Sequence, residues 1–218
     1  RVPAVVCYEG KAYPALAIAG LSAATGAQPI IKAAPGFMQS GQVLDVGGLQ
    51  IPIDAKGQLR VSYQMPRSGF VSVSAVDVIQ GKVPANMLKG TWALVGSTAF
   101  GGGDAVPTPQ GGAVGGVEVH AQILSAALDG RTPYAPAWAP LWPLATGALA
   151  LLVLIFSLKA SGPKAAVVVP AVALASGAVI FGAHAALLLG AHQWLGWGQP
   201  ALFVALAAAL LTAAEMLR

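Results

Sequence analysis

Histidine, acid and hydroxyl side chains that could do chemistry gather in one stretch, residues 88–128, LKGTWALVGSTAFGGGDAVPTPQGGAVGGVEVHAQILSAAL. His120 with Glu118 and Asp104 could form an acid/base pair or a metal site, and Ser97, Thr98 and Thr108 could supply hydroxyls. The spacing Glu118-Val119-His120 puts both titratable side chains on one face of an extended segment, but the metal-binding pattern H-E-x-x-H is absent. A G-x-S-x-G nucleophile turn is absent too. The role expected of His120 is therefore a hydrogen bond from a helix start to the preceding loop, and Asp104 is expected to pin that loop through backbone contacts. Ser97, Thr98, Asp104, Thr108 and His120 stand as candidate ligand-binding residues. No catalytic residue, no metal site and no cofactor is assigned.

The glycines of the same stretch invite a phosphate reading, which fails on inspection. G-x-x-x-x-G-K-[ST] starts well at Gly96 and Gly101, but Gly102 stands where a lysine must reach the β- and γ-phosphates. Gly101 and Gly103 begin G-x-G-x-x-G, and Val106 breaks it. A loop over 96–116 that is structural, or that approaches a ligand through bare backbone, is what remains.

Positioning these residues requires a strand before the loop and a helix after it. The apolar run 91–95 predicts a buried strand, and the spacing after His120 predicts a helix entered through residues 117–120. Upstream, residues 3–8 predict a strand turned by Gly10 and Lys11. A helix over 14–25 follows, with proline near its start and glycine near its stop. Residues 28–41, broken by Pro29, Pro35 and Gly36, predict irregular chain. Gly47-Gly48 between two apolar runs predicts a hairpin over 43–46 and 49–53. Leu59, Val61 and Tyr63 alternate as a half-buried strand, and 72–80 predicts a short helix opened by Ser72 or Ser74. Cys7 is the single cysteine, which excludes an internal disulfide and a C-x-x-C site, and beside Val5 and Val6 it reads as a small buried hydrophobe.

Charge divides the chain. Only 9% of residues are charged, and residues 137–218 hold just Lys159, Lys164, Glu215 and Arg218. The net charge of +4 is spread without a basic face, so nucleic acid is not an expected partner. After the proline-rich linker RTPYAPAWAP, three apolar segments, about 138–158, 165–189 and 200–217, are each long enough to cross a bilayer. The expected domains are thus 1–136 and 137–218. Trp138, Trp142, Trp194 and Trp197 fall where interfacial tryptophans belong. Lys159 and Lys164 mark the loop between the first two spans as cytoplasmic, which puts residues 1–136 outside and the C-terminus inside. A domain placed outside must be exported, so an export element is expected ahead of Arg1, and a cytoplasmic part after Arg218. His184 falls within the second span, where one histidine suits an interhelical hydrogen bond better than a haem. Ala201, Ala205, Ala209 and Ala213 put small side chains on one face of the third span, a helix-packing surface either within one subunit or at a dimer seam.

Five blocks in order, RVPAVVCYEGKAYPALAIA, IPIDAKGQLRVSYQ, VSVSAVDVIQGKVP, LKGTWALVGSTAFGGGDAVPTP and VGGVEVHAQILSAALDG, resemble the C-terminal half of the CHASE domain of the second type, an extracytoplasmic sensor module of bacterial signalling proteins. The resemblance implies an α/β sensor domain, present in part, followed by a three-helix transmembrane segment. It further implies a first half of the sensor and a membrane helix ahead of Arg1, and an effector beyond Arg218, commonly a nucleotide cyclase and otherwise a kinase. The expected function is a bacterial receptor module in the inner membrane that senses an unidentified extracytoplasmic ligand, as a homodimer or as part of a larger assembly. The alternative is an accessory subunit whose outer domain is a docking surface.

Overall fold

The structure, a computed structural model, describes residues 1–97 and 105–217. Two compact units emerge. The first comprises Arg1–Lys32, Leu44–Ile51 and Lys56–Thr132, and the second comprises Ala33–Val43, Pro52–Ala55 and Pro133–Arg218.

In the first unit the strands are short. β1 (Val2–Pro3) pairs antiparallel with β7 (Gln58–Leu59), and β2 (Val5–Tyr8) with β3 (Lys11–Pro14). The β2–β3 turn is Glu9-Gly10, both with positive φ, the geometry whose twist matches the flanking strands. The turn thus sits one residue before the Gly10-Lys11 expected. β4 (Ile30–Ala34), β5 (Gly41–Val46) and β6 (Leu49–Ile53) form a three-stranded sheet in that order. The β5–β6 hairpin turns at Gly47-Gly48 as expected, with φ of 60° and 92°.

β4 corrects the expectation of irregular chain over 28–41. Pro29 and Pro35 flank the strand instead of interrupting it, and so bound a short ladder without removing its donors.

Helix α1 (Leu16–Thr25) ends at Gly26 in the left-handed conformation and buries Ala17, Ile18 and Leu21. It packs against α4 (Gly116–Leu128), which buries Val119, Ile123, Leu124, Ala126 and Ala127. Between them come α2 (Ala75–Ile79), α3 (Ala85–Leu88) and the antiparallel pair β8 (Ala105–Pro107) and β9 (Ala113–Gly115).

Three further expectations fail here. The half-buried strand expected through Leu59, Val61 and Tyr63 ends at Leu59, because β1 offers only Val2 and Pro3 as partners. Residues 91–95 form no strand: Trp92 is half-exposed and Val95 is 90% exposed, so the apolar run lacks the covering layers a buried strand needs. Cys7 is exposed, on a two-stranded hairpin in which Val6 and Tyr8 are exposed as well.

The second unit contains three long helices, α5 (Trp142–Ser161), α6 (Ala165–Ala191) and α7 (Gly198–Met216). Each is long and apolar enough to cross a membrane, and at 1.5 Å per residue the shortest runs about 28 Å. Leu154, Val169, Val204 and Ala208 are at their centre. Hydroxyls on these helices are satisfied internally: Thr146, Ser157, Ser176 and Thr212 donate to carbonyls three or four residues back, as an apolar surround demands.

Candidate functional site

The start of α4 is where the sequence concentrates polar chemistry, and the chain is clasped there by side chains rather than by a ladder. Arg67, in a single 3-10 turn, donates from Nε to Glu118 Oε2 and from Nη2 to Oε1, each at 2.9 Å. Glu118 lies in the first turn of α4, so its charge also meets the positive end of the helix. Two amides converge on one carbonyl: Gln122 Nε2 donates to Met65 O at 2.8 Å, and Gln110 Nε2 donates to the same oxygen at 2.7 Å and to Tyr63 O at 2.9 Å. A carbonyl has two lone pairs, so Met65 O is saturated.

Beside this clasp lies a shallow, open cleft lined by Ser62, Gln64, Met65, Gln122, Ser125, Ala126 and Arg131. It has room for about one water molecule. Arg131, which borders it, is paired to Asp129.

The residues singled out from sequence are distributed as follows. Glu118 and His120 are helical, which corrects the extended reading: at about 100° per residue their side chains diverge by about 200°. Glu118 is committed to Arg67, and no acid/base pair with His120 forms. Among the described residues, His120 Nδ1 and Thr108 Oγ1 are buried with no hydrogen-bond partner. Thr108 is at the β8–β9 turn, where its N–H donates to Gly112 O at 3.3 Å. Ser97 is exposed, and its carbonyl runs beside Gly115, 3.3 Å from where a Cβ there would sit. Thr98 and Asp104 lie outside the described residues. Among the described residues no group of three His, Cys, Asp or Glu could hold a metal ion.

The clasp residues Arg67, Gln110 and Gln122 escaped the sequence reading. Gln122 alone carried a signal: it falls at i+3 from Val119 and one before Ile123, a polar residue on the apolar stripe, and it is 4% exposed.

On α7 the buried residues are Pro200, Val204 and Ala208, whereas Ala205, Ala209 and Ala213 of the small-residue row are exposed and Ala201 is half-buried.

Residues 1–160 match the CHASE2 domain. The chain belongs to that family. The CHASE2 match runs through the α/β region and to the end of α5, so the architecture is an α/β sensor domain followed by a three-helix segment. Together with the three apolar helices it makes the chain a membrane sensor module. Among curated proteins and among solved structures, no match to this CHASE2 chain is found.

Proposed function

We propose that this CHASE2 chain is the receptor portion of a bacterial signalling protein in the inner membrane. The α/β domain meets an extracytoplasmic ligand, and α5, α6 and α7 relay its state to a cytoplasmic effector, of which a nucleotide cyclase is the leading candidate. The observation that supports this reading is the continuity of the family match from sensor domain through the first apolar helix. A ligand shifts such a module only by binding two arrangements unequally. The exposed row Ala205, Ala209 and Ala213 is proposed as the seam of a homodimer, since small side chains let helices approach closely. Ser97, Thr98, Asp104, Thr108 and His120 are proposed to border the ligand.

Sidedness is tested on the native cysteine. Cys7 is exposed, so a membrane-impermeant maleimide should label it in intact spheroplasts, while a Lys164→Cys, Cys7→Ser variant should label only after permeabilisation. The reverse pattern overturns the orientation. For the relay, a signalling domain continuous with Arg218 in the mature protein supports the receptor. A stoichiometric partner subunit without such a domain would instead favour an accessory role.

A further inference from the structure

The linker that follows α4 does not run freely into α5. Tyr134 forms a parallel bridge with Gln193, in the turn between α6 and α7. Its N–H donates to His192 O at 2.9 Å, and its own carbonyl accepts from Trp194 N–H at 2.6 Å. The Tyr134 hydroxyl donates to Met38 O at 3.1 Å and accepts from Gln193 Nε2 at 3.4 Å. Further along, Ala137 N–H donates to Gln39 O at 2.8 Å, and Phe37 stacks on Trp138 with ring centres 6.2 Å apart. The linker is also stiff, because Pro133, Pro136 and Pro140 fix φ at intervals along it.

The turn that receives the linker is itself locked to α6. His184 meets Trp194 edge-on at 4.9 Å, Phe181 meets Trp197 at 5.2 Å, and Leu195 is fully buried. A displacement of Tyr134 is therefore resisted by two backbone hydrogen bonds to a turn that packs on α6 through His184 and Phe181.

The same junction holds buried polar atoms with no hydrogen-bond partner: Trp138 Nε1, Trp142 Nε1, His192 Nδ1 and Gln193 Oε1. Such groups are normally satisfied.

We propose that the Tyr134–Gln193 bridge is a lateral relay, which passes movement of the linker sideways into the α6–α7 turn as well as along the chain into α5. The relay deepens the receptor reading and rests on it for its use. Its test needs neither stimulus nor effector, so its failure is distinct from failure of that reading.

The test is hydrogen–deuterium exchange on the full chain in lipid nanodiscs. Tyr134→Pro removes the donor to His192, and Gln193→Ala removes a buried side chain beneath the bridge. A third variant inserts two glycines between Ala137 and Trp138, which loosens the path to α5 alone. Tyr134→Pro and Gln193→Ala should each speed exchange over residues 192–197 by on the order of tenfold, the effect of losing about one hydrogen bond. They should also shift the distance between spin labels at Lys164→Cys and Met216→Cys in a Cys7→Ser background. The glycine insertion should leave exchange over 192–197 unchanged. The relay is overturned if neither substitution alters that exchange, or if the insertion alters it as much as they do. Gln193→Ala decides the matter if Tyr134→Pro fails to fold.

Discussion

Arg67 grips Glu118 with both arms of its guanidinium, at 2.9 Å and 2.9 Å across 51 residues of sequence. Their side chains are 53% and 30% exposed, so water and salt screen the pair, while the two-point geometry sets it above an ordinary surface contact. Arg67→Ala should lower stability by about 0.5–1 kcal/mol, less in high salt. A double-mutant cycle with Glu118→Gln isolates the interaction; a coupling near zero would reduce the pair to decoration.

A different carboxylate sets a pH dependence. The Lys32 ammonium, 2.7 Å from Asp45 Oδ2, and the Gly48 N–H, 3.1 Å from Oδ1, hold the Asp45 carboxyl below the ordinary aspartate range. A depressed folded pKa means that the unfolded chain binds the proton more readily. The contribution of Asp45 is thus complete above about pH 4 and fades as pH falls below that range. Denaturation of the wild type and Asp45→Asn should differ at neutral pH and converge in acid. Divergence that grows in acid would contradict the sign.

These contacts show what could be read from the chain and what could not. The three long helices were legible because about 20 apolar residues admit few other fates, and the hairpin at Gly47-Gly48 because two adjacent glycines with positive φ suit one turn. Residues 91–95 misled because an apolar run reports a wish to be buried, not a partner that does the burying. Val71, Ile79 and Val95 are 75–90% exposed, so local pattern and tertiary cover disagree there. The clasp was opaque for another reason. Arg67 and Glu118, like Gln110 and Met65, are distant in sequence, and a side chain bonding a remote carbonyl leaves no periodicity.

The backbone of Gly96 lies against α4. A Cβ placed there would sit 2.5 Å from Val117 Cβ and 2.8 Å and 2.9 Å from its methyls. Val117 is β-branched in the first helical turn, so rotation does not clear the overlap. Gly96→Ala should cost about 1–3 kcal/mol, the usual range for overpacking. Replacing Val117 by glycine in the same chain should recover most of that loss, less about 1 kcal/mol for a glycine inside a helix. If Gly96→Ala alone is neutral in thermal denaturation, the close approach is wrong.

Gly147 poses the same question inside the helix cluster and has the opposite answer. It is where α5 approaches α7, and an added Cβ would lie 3.3 Å from Cδ1 and 3.6 Å from Cε1 of Phe203. That contact is only slightly tight, and Phe203 is 46% exposed, so its ring has room to give by a few tenths of an ångström. Gly147→Ala should therefore change stability by less than about 0.5 kcal/mol. Gly147→Leu exceeds what the ring can absorb and should cost about 1–3 kcal/mol by pushing α5 from α7. Unfolding in mixed detergent micelles compares them directly, and Phe203→Ala should rescue the leucine variant. A large loss already at Gly147→Ala would show that the α5–α7 spacing is fixed by backbone contact, not by the Phe203 ring.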